Sequence, residues 1–168
     1  VVTAEQRTAI QSGIVHFGKC NLWGLVSVPE NDREIAWLYL HSSMPEYAEQ
    51  ALRRILRAEP DAMNAWANLA KVETSRGDLK SARQSYLRAL ALEKARREKW
   101  TKKLGSGVPM PGSAGLLAEW GLFQAYNGET DTAAKTLQWA ADYDRTSFTA
   151  WLALGLFQRR MDRIDDAR

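Results

Sequence analysis

Apolar residues recur at short intervals along this 168-residue chain, and their spacing follows helices rather than strands. Trp66 and Leu69 stand three residues apart, as do Trp151 and Leu154, which places each pair on one face of a helix. Near the beginning, Ala9, Ile10, Ile14 and Phe17 fall on or near one side of residues 3–17, predicting an amphipathic helix, and residues 21–29 read as a connector. Prolines occur at Pro29, Pro45, Pro60, Pro109 and Pro111 and leave long proline-free stretches, which suits helices separated by punctuated turns. The run EKARREKWTKK continues a helical pattern beyond residue 96. The following GSGVPMPGSAG is rich in glycine, proline and serine and predicts an extended, flexible loop, of a length often tied to function.

The pattern repeats. Counting Met63 as the first place, Trp66 is fourth, Leu69 seventh, Ala70 eighth, Gly77 fifteenth, Ala82 twentieth, Tyr86 twenty-fourth and Ala89 twenty-seventh. From Ala114, Trp120 and Gly121 take the seventh and eighth places, Gly128 the fifteenth, Ala133 the twentieth, Leu137 the twenty-fourth and Ala140 the twenty-seventh, with Leu117 in the fourth. From Phe148, Trp151, Leu154, Gly155 and Ala167 fill the fourth, seventh, eighth and twentieth places. A degenerate copy from Pro29 places Ile35, Ala36, Tyr39, Ala48, Leu52 and Pro60 in register but has Asp32 in the fourth place.

This spacing resembles the tetratricopeptide repeat, in which each unit is two antiparallel helices joined by a short turn. The resemblance implies an all-α fold, a right-handed superhelical solenoid of antiparallel helix pairs. Small residues at the eighth place (Ala70, Gly121, Gly155) are expected to meet Ala82, Ala133 and Ala167 where paired helices touch. Gly77 and Gly128 are expected to end first helices through a positive φ. The units are then 29–62, 63–96, 114–147 and a partial 148–168, preceded by residues 1–28 and interrupted by an insertion at 97–113. In this register the chain stops inside the second helix of its last unit, which predicts a segment of a longer solenoid.

In this family the first helices line a concave groove. Carried over, the resemblance assigns the groove to Asn64, Ala67, Lys71 and Thr74, then Gly115, Ala118, Leu122 and Ala125, then Thr149, Leu152, Leu156 and Arg159. Its early part is polar and its later part apolar, which suits an amphipathic peptide or helix as protein partner. Asn68 and Lys71 echo the clamp that some members close on a chaperone C-terminus, but Trp37 stands where an asparagine would be required. The unit from Trp66 also resembles the half-a-tetratricopeptide (HAT) variant, through Glu73, Ala82-Arg83, Tyr86 and Arg88-Ala89-Leu90, with Ala167-Arg168 repeating the alanine–arginine pair. That variant implies a scaffold in an RNA-processing or ribonucleoprotein assembly; the alternative is a general peptide-binding adaptor unrelated to RNA.

Composition changes this picture little. Nearly half the residues are hydrophobic and about a quarter charged, the profile of a soluble globular protein, and no apolar run approaches the roughly 18 residues of a membrane span. Cys20 is the only cysteine, which excludes an internal disulfide and fits an intracellular, reducing compartment: nucleus or organelle under the HAT resemblance, cytoplasm otherwise. The net charge of +3 is small, but Lys94, Arg96, Arg97, Lys99, Lys102 and Lys103 cluster around Trp100. Those cations could meet phosphates while the indole stacks a base of single-stranded RNA, or they could simply offset the dipole at a helix C-terminus. His16 and Cys20 lie four apart without a third ligand or orienting acid, so no catalytic residue, metal site or cofactor is expected.

Overall fold

The computed structural model describes residues 45–165, with side chains through Asp162. Within them the chain forms six helices: α1 (Pro45–Ala58), α2 (Met63–Ser75), α3 (Leu79–Leu104), α4 (Ser113–Tyr126), α5 (Thr130–Tyr143) and α6 (Phe148–Asp165). The all-helical architecture read from the repeat is the one observed. The helices pack as neighbours in sequence, α1 with α2 and α4 with α5, while α6 rests on both α4 and α5. The chain divides into two compact units, Val1–Arg88 and Ala89–Arg168, each considered separately below. The amphipathic segment 3–17, the first helix of the degenerate copy, His16, Cys20 and the Ala167-Arg168 pair lie outside the described residues.

In the first unit, Pro45 opens α1, where its missing N–H costs nothing. Ala48, Ala51, Leu52 and Ile55 form the i, i+3, i+4, i+7 stripe of that helix and are buried against Ala65, Leu69 and Val72 of α2. In the second unit, Leu117 and Ala118 of α4, Ala133, Leu137, Ala140 and Ala141 of α5, and Ala150, Ala153, Leu154 and Phe157 of α6 share one core. The alanines let backbones approach; the leucines and Phe157 fill what remains.

The turns follow from the fifteenth place. Gly77 and Gly128 have φ values of 79° and 81°. At α2 the Gly77 N–H donates to the Thr74 carbonyl and the Asp78 N–H to the Glu73 carbonyl; at α4 the Gly128 N–H donates to Ala125 and the Glu129 N–H to Gln124. Both sets are the same paired closure of a helix C-terminus, available because glycine enters the left-handed region without strain. Asp78 then caps α3, its Oδ1 accepting from the Ser81 N–H at 3.1 Å. The Ser81 hydroxyl and N–H hold its carboxyl below the usual range. In the last copy the fifteenth place is Asp162 rather than glycine, and α6 runs through it to Asp165, where the register had predicted a turn and a second helix. Without glycine at that place, the left-handed closure used at Gly77 and Gly128 is less favourable and the helix continues.

Two recurrent ties fix the hairpins. The fourth-place tryptophans, expected as space fillers, also donate their indole N–H to the carbonyl that ends the preceding copy: Trp66 Nε1 to Pro60 at 2.8 Å and Trp151 Nε1 to Arg145 at 3.0 Å. Trp151 accordingly remains 45% exposed. Within each hairpin, a buried polar residue at the eleventh place accepts from a hydroxyl twelve residues later: Ser85 Oγ to Glu73 Oε2 at 2.7 Å, and Thr136 Oγ1 to Gln124 Oε1 at 2.8 Å. Burial in a low-dielectric interior makes such a bond expensive to lose.

The eighth-place contact differs from its expectation at Gly121. A Cβ there would lie 2.7 Å from Leu137 Cγ, so the close neighbour of this glycine is the twenty-fourth-place leucine rather than Ala133. Gly121→Ala is therefore expected to destabilise the protein by about 1–3 kcal/mol, because Leu137 is fully buried and cannot yield. Gly115, on the same helix, has open space at its Cβ position, so Gly115→Ala is expected to stabilise by about 0.5–1 kcal/mol. Urea unfolding of the two variants checks both signs.

Candidate functional site

Helix α6 has two unlike sides. Ala150, Ala153, Leu154 and Phe157 enter the core, whereas Leu152 and Leu156, one turn apart, remain 47% and 42% exposed. On the neighbouring α4, Leu122 is 38% exposed, above a fully buried Ala118 and a half-buried Ala125 that packs on the core. Arg159 continues the α6 side as an exposed cation. Single exposed leucines are ordinary; these three lie on two helices that pack against each other. In the other unit, the expected groove positions Asn64 and Lys71 of α2 are exposed, and Ala67 is buried, with 8% of its surface accessible.

The basic track divides into two parts. Arg97 turns toward α5: its Nε lies 2.9 Å from Oε1 of the buried Glu93, and its guanidinium stands 5.5 Å from the Trp139 ring and 6.0 Å from the Tyr143 ring. This cation neutralises an acid that would otherwise be buried alone, and its aromatic contacts dock the α3 extension on α5. Lys94, Arg96, Lys99, Lys102 and Lys103 are exposed. Trp100 is half-buried and donates its indole N–H to the Val108 carbonyl at 3.1 Å.

That bond is one of two side-chain hydrogen bonds to the backbone of the loop between α3 and α4. The Met110 N–H donates to Tyr143 Oη at 2.8 Å, and Met110 itself is buried. Gly105 and Gly112, with φ of 91° and 85°, form the two bends at its ends. The segment read as a flexible return is thus fastened at Val108 and Met110 by two side chains, Trp100 and Tyr143, that lie outside the Gly/Pro-rich stretch.

Glu73, which carried part of the HAT resemblance, belongs to the interior of the first unit. Beside the Ser85 bond, Arg53 Nη2 lies 3.5 Å from its Oε1. Burial raises its pKa above the usual glutamate value, with the Ser85 hydrogen bond and Arg53 opposing the rise. Gln124 holds the matching place in the second unit. The recurrence of Glu73 with Ser85 and Gln124 with Thr136 at one interval was the sequence signal for this tie. Among the described residues, no three His, Cys, Asp or Glu side chains converge to hold a metal ion, and no helix is long and apolar enough to cross a membrane.

Paired helices closed by glycine turns, with the same places recurring at a fixed interval along the sequence, define an α-helical repeat protein. A family model described as tetratricopeptide repeat matches residues 34–97 and 119–168, more than half of the sequence, and the chain belongs to that family, whose members are typically non-catalytic. The unmatched interval contains the end of α3, the fastened loop and the start of α4. Two crystal structures of MamA share the fold. One is 16% identical with a TM-score of 0.66, over 99% of this chain and 90% of that chain; the other is 16% identical with a TM-score of 0.65, over 97% and 79%. No curated protein matches.

The raised pKa of Glu73 has a stability consequence. A carboxyl that holds its proton more tightly when folded stabilises the fold most while protonated, and that contribution is lost as pH rises from the usual glutamate value through the elevated one. Glu73→Gln retains an acceptor for Ser85 but cannot ionise. The stability of the parent relative to this variant should therefore fall as pH rises across that window, and denaturant unfolding at a series of pH values measures the difference.

Proposed function

We propose that this chain is a non-enzymatic adaptor that holds a protein partner, in the form of an amphipathic helix or peptide, against the first helices of its repeats. The observation that carries this reading is the exposure of Leu122, Leu152 and Leu156 on α4 and α6, which adjoin each other. An amphipathic helix offers apolar side chains at i, i+3 or i+4 and i+7, and two leucines one turn apart match that interval. Covering them would remove apolar area from water while leaving the core beneath untouched, since Ala118, Ala153 and Leu154 already fill it. Arg159, exposed farther along α6, is the proposed polar contact of that partner.

Membership in an interaction-repeat family supports the general adaptor more directly than a ribonucleoprotein scaffold. The RNA-processing association rests on the HAT resemblance of Trp66, Glu73, Ala82-Arg83, Tyr86, Arg88-Ala89-Leu90 and Ala167-Arg168. Of these, Glu73 is accounted for by Ser85 and Arg53.

Selection of displayed peptides on the immobilised chain is expected to enrich sequences with a single apolar helical stripe. Leu152→Glu with Leu156→Glu should weaken the selected peptides by about tenfold or more, because two charges would be desolvated against the apolar stripe. Both positions are exposed, so the helical circular dichroism should persist. Selected peptides that bind parent and variant equally would place the partner elsewhere.

A further inference from the structure

The insertion that interrupts the repeat forms a site of its own. Arg96, Lys99, Trp100 and Lys103 occur at i, i+3, i+4 and i+7 along α3 and therefore share one side of it, whereas Arg97 points away to Glu93. Together with Met110 and Pro111 from the fastened loop they line an open cleft of about 350 Å3. That volume lies within the range of small-ligand pockets, roughly 300–1,000 Å3. The apolar wall is the indole, the thioether and the proline ring; every polar side chain in the lining is a cation. Among the described residues none of Arg96, Lys99 and Lys103 has an acid within ion-pair distance. The walls are set before any ligand arrives, because Trp100 is tied to Val108 and Met110 to Tyr143.

We infer that this cleft binds an acidic peptide segment carrying one large apolar side chain. The apolar side chain enters between Trp100 and the Met110–Pro111 edge, and carboxylates on either side of it meet Arg96, Lys99 and Lys103. A nucleic-acid strand fits these walls less well. Successive bases need successive aromatic platforms, and this cleft has a single indole. The site is separate from the leucines of α4 and α6, so a chain bound there leaves the other surface free.

The probe is a fluorescein-labelled peptide with one phenylalanine between two short glutamate runs, followed by anisotropy with the whole chain. Binding should weaken with salt, and by about tenfold or more on replacing the peptide's phenylalanine with alanine or on making Lys99→Glu with Lys103→Glu. Lys80→Glu with Lys135→Glu, an equal charge change on exposed residues outside the cleft, should leave it within about twofold. Leu152→Glu with Leu156→Glu should also leave it unchanged, which separates this site from the adaptor surface. Circular dichroism confirms that all variants fold. Equal weakening by the two lysine pairs, or indifference to the phenylalanine, would reduce the binding to bulk charge attraction and overturn the inference. Failure of the peptide to bind would also overturn it, as would a short oligouridine that binds more tightly and is lost with Lys99→Glu and Lys103→Glu.

Discussion

A two-helix unit of this kind cannot bury its own apolar side, so its stability depends on how closely its helices approach each other and the next unit. In the second unit that approach is set at Gly121, where the space a methyl would need is already taken by Leu137. The alanines at 118, 133, 140, 150 and 153 extend the same condition along α4, α5 and α6, all of them buried. Close backbones maximise dispersion contacts, but they also fix the helices in one register, since a side chain larger than alanine at these places would force them apart.

Polar groups are arranged so as not to oppose that approach. Glu73 and Gln124, one in each hairpin, are each met by a hydroxyl from the facing helix, and the buried Glu93 is met by Arg97. The connecting turns are closed by glycine-dependent hydrogen bonds at their start, and in two cases by a tryptophan N–H at the junction with the next copy. Trp100 performs an equivalent task in the insertion, where the repeat has no fourth-place tryptophan to offer because Leu117 is buried in the core instead. The indole thus serves three times as a latch on a backbone carbonyl.

The same economy explains which surfaces remain for partners. Residues engaged in closing the hairpins are unavailable, which removes Glu73, Gln124 and Arg97 from recognition. The surfaces proposed for partners in the second unit are the leucine side of α4 and α6 and the cationic stripe of α3, neither of which is engaged in those ties. One is apolar and follows the repeat; the other is charged and arises where the repeat is broken.

Much of the architecture was legible in the sequence because its causes are local. Small residues at the eighth and twentieth places and glycine at the fifteenth act through steric exclusion and φ, both set by the residue itself and its place in the chain. Leu122, Leu152 and Leu156 fall at the places that the family resemblance assigns to the groove, and all three are exposed. Other features depended on three-dimensional neighbours. Arg97 pairs with Glu93 four residues before it, but that this side of α3 is buried against Trp139 could not be read from spacing, because like charges occupy every side of the helix there. The loop composition suggested freedom, and its order came from Trp100 and Tyr143, which lie outside the glycine- and proline-rich stretch. Local stereochemistry thus set helices and turns, while long-range hydrogen bonds and ion pairing decided which polar residues became structure and which stayed exposed.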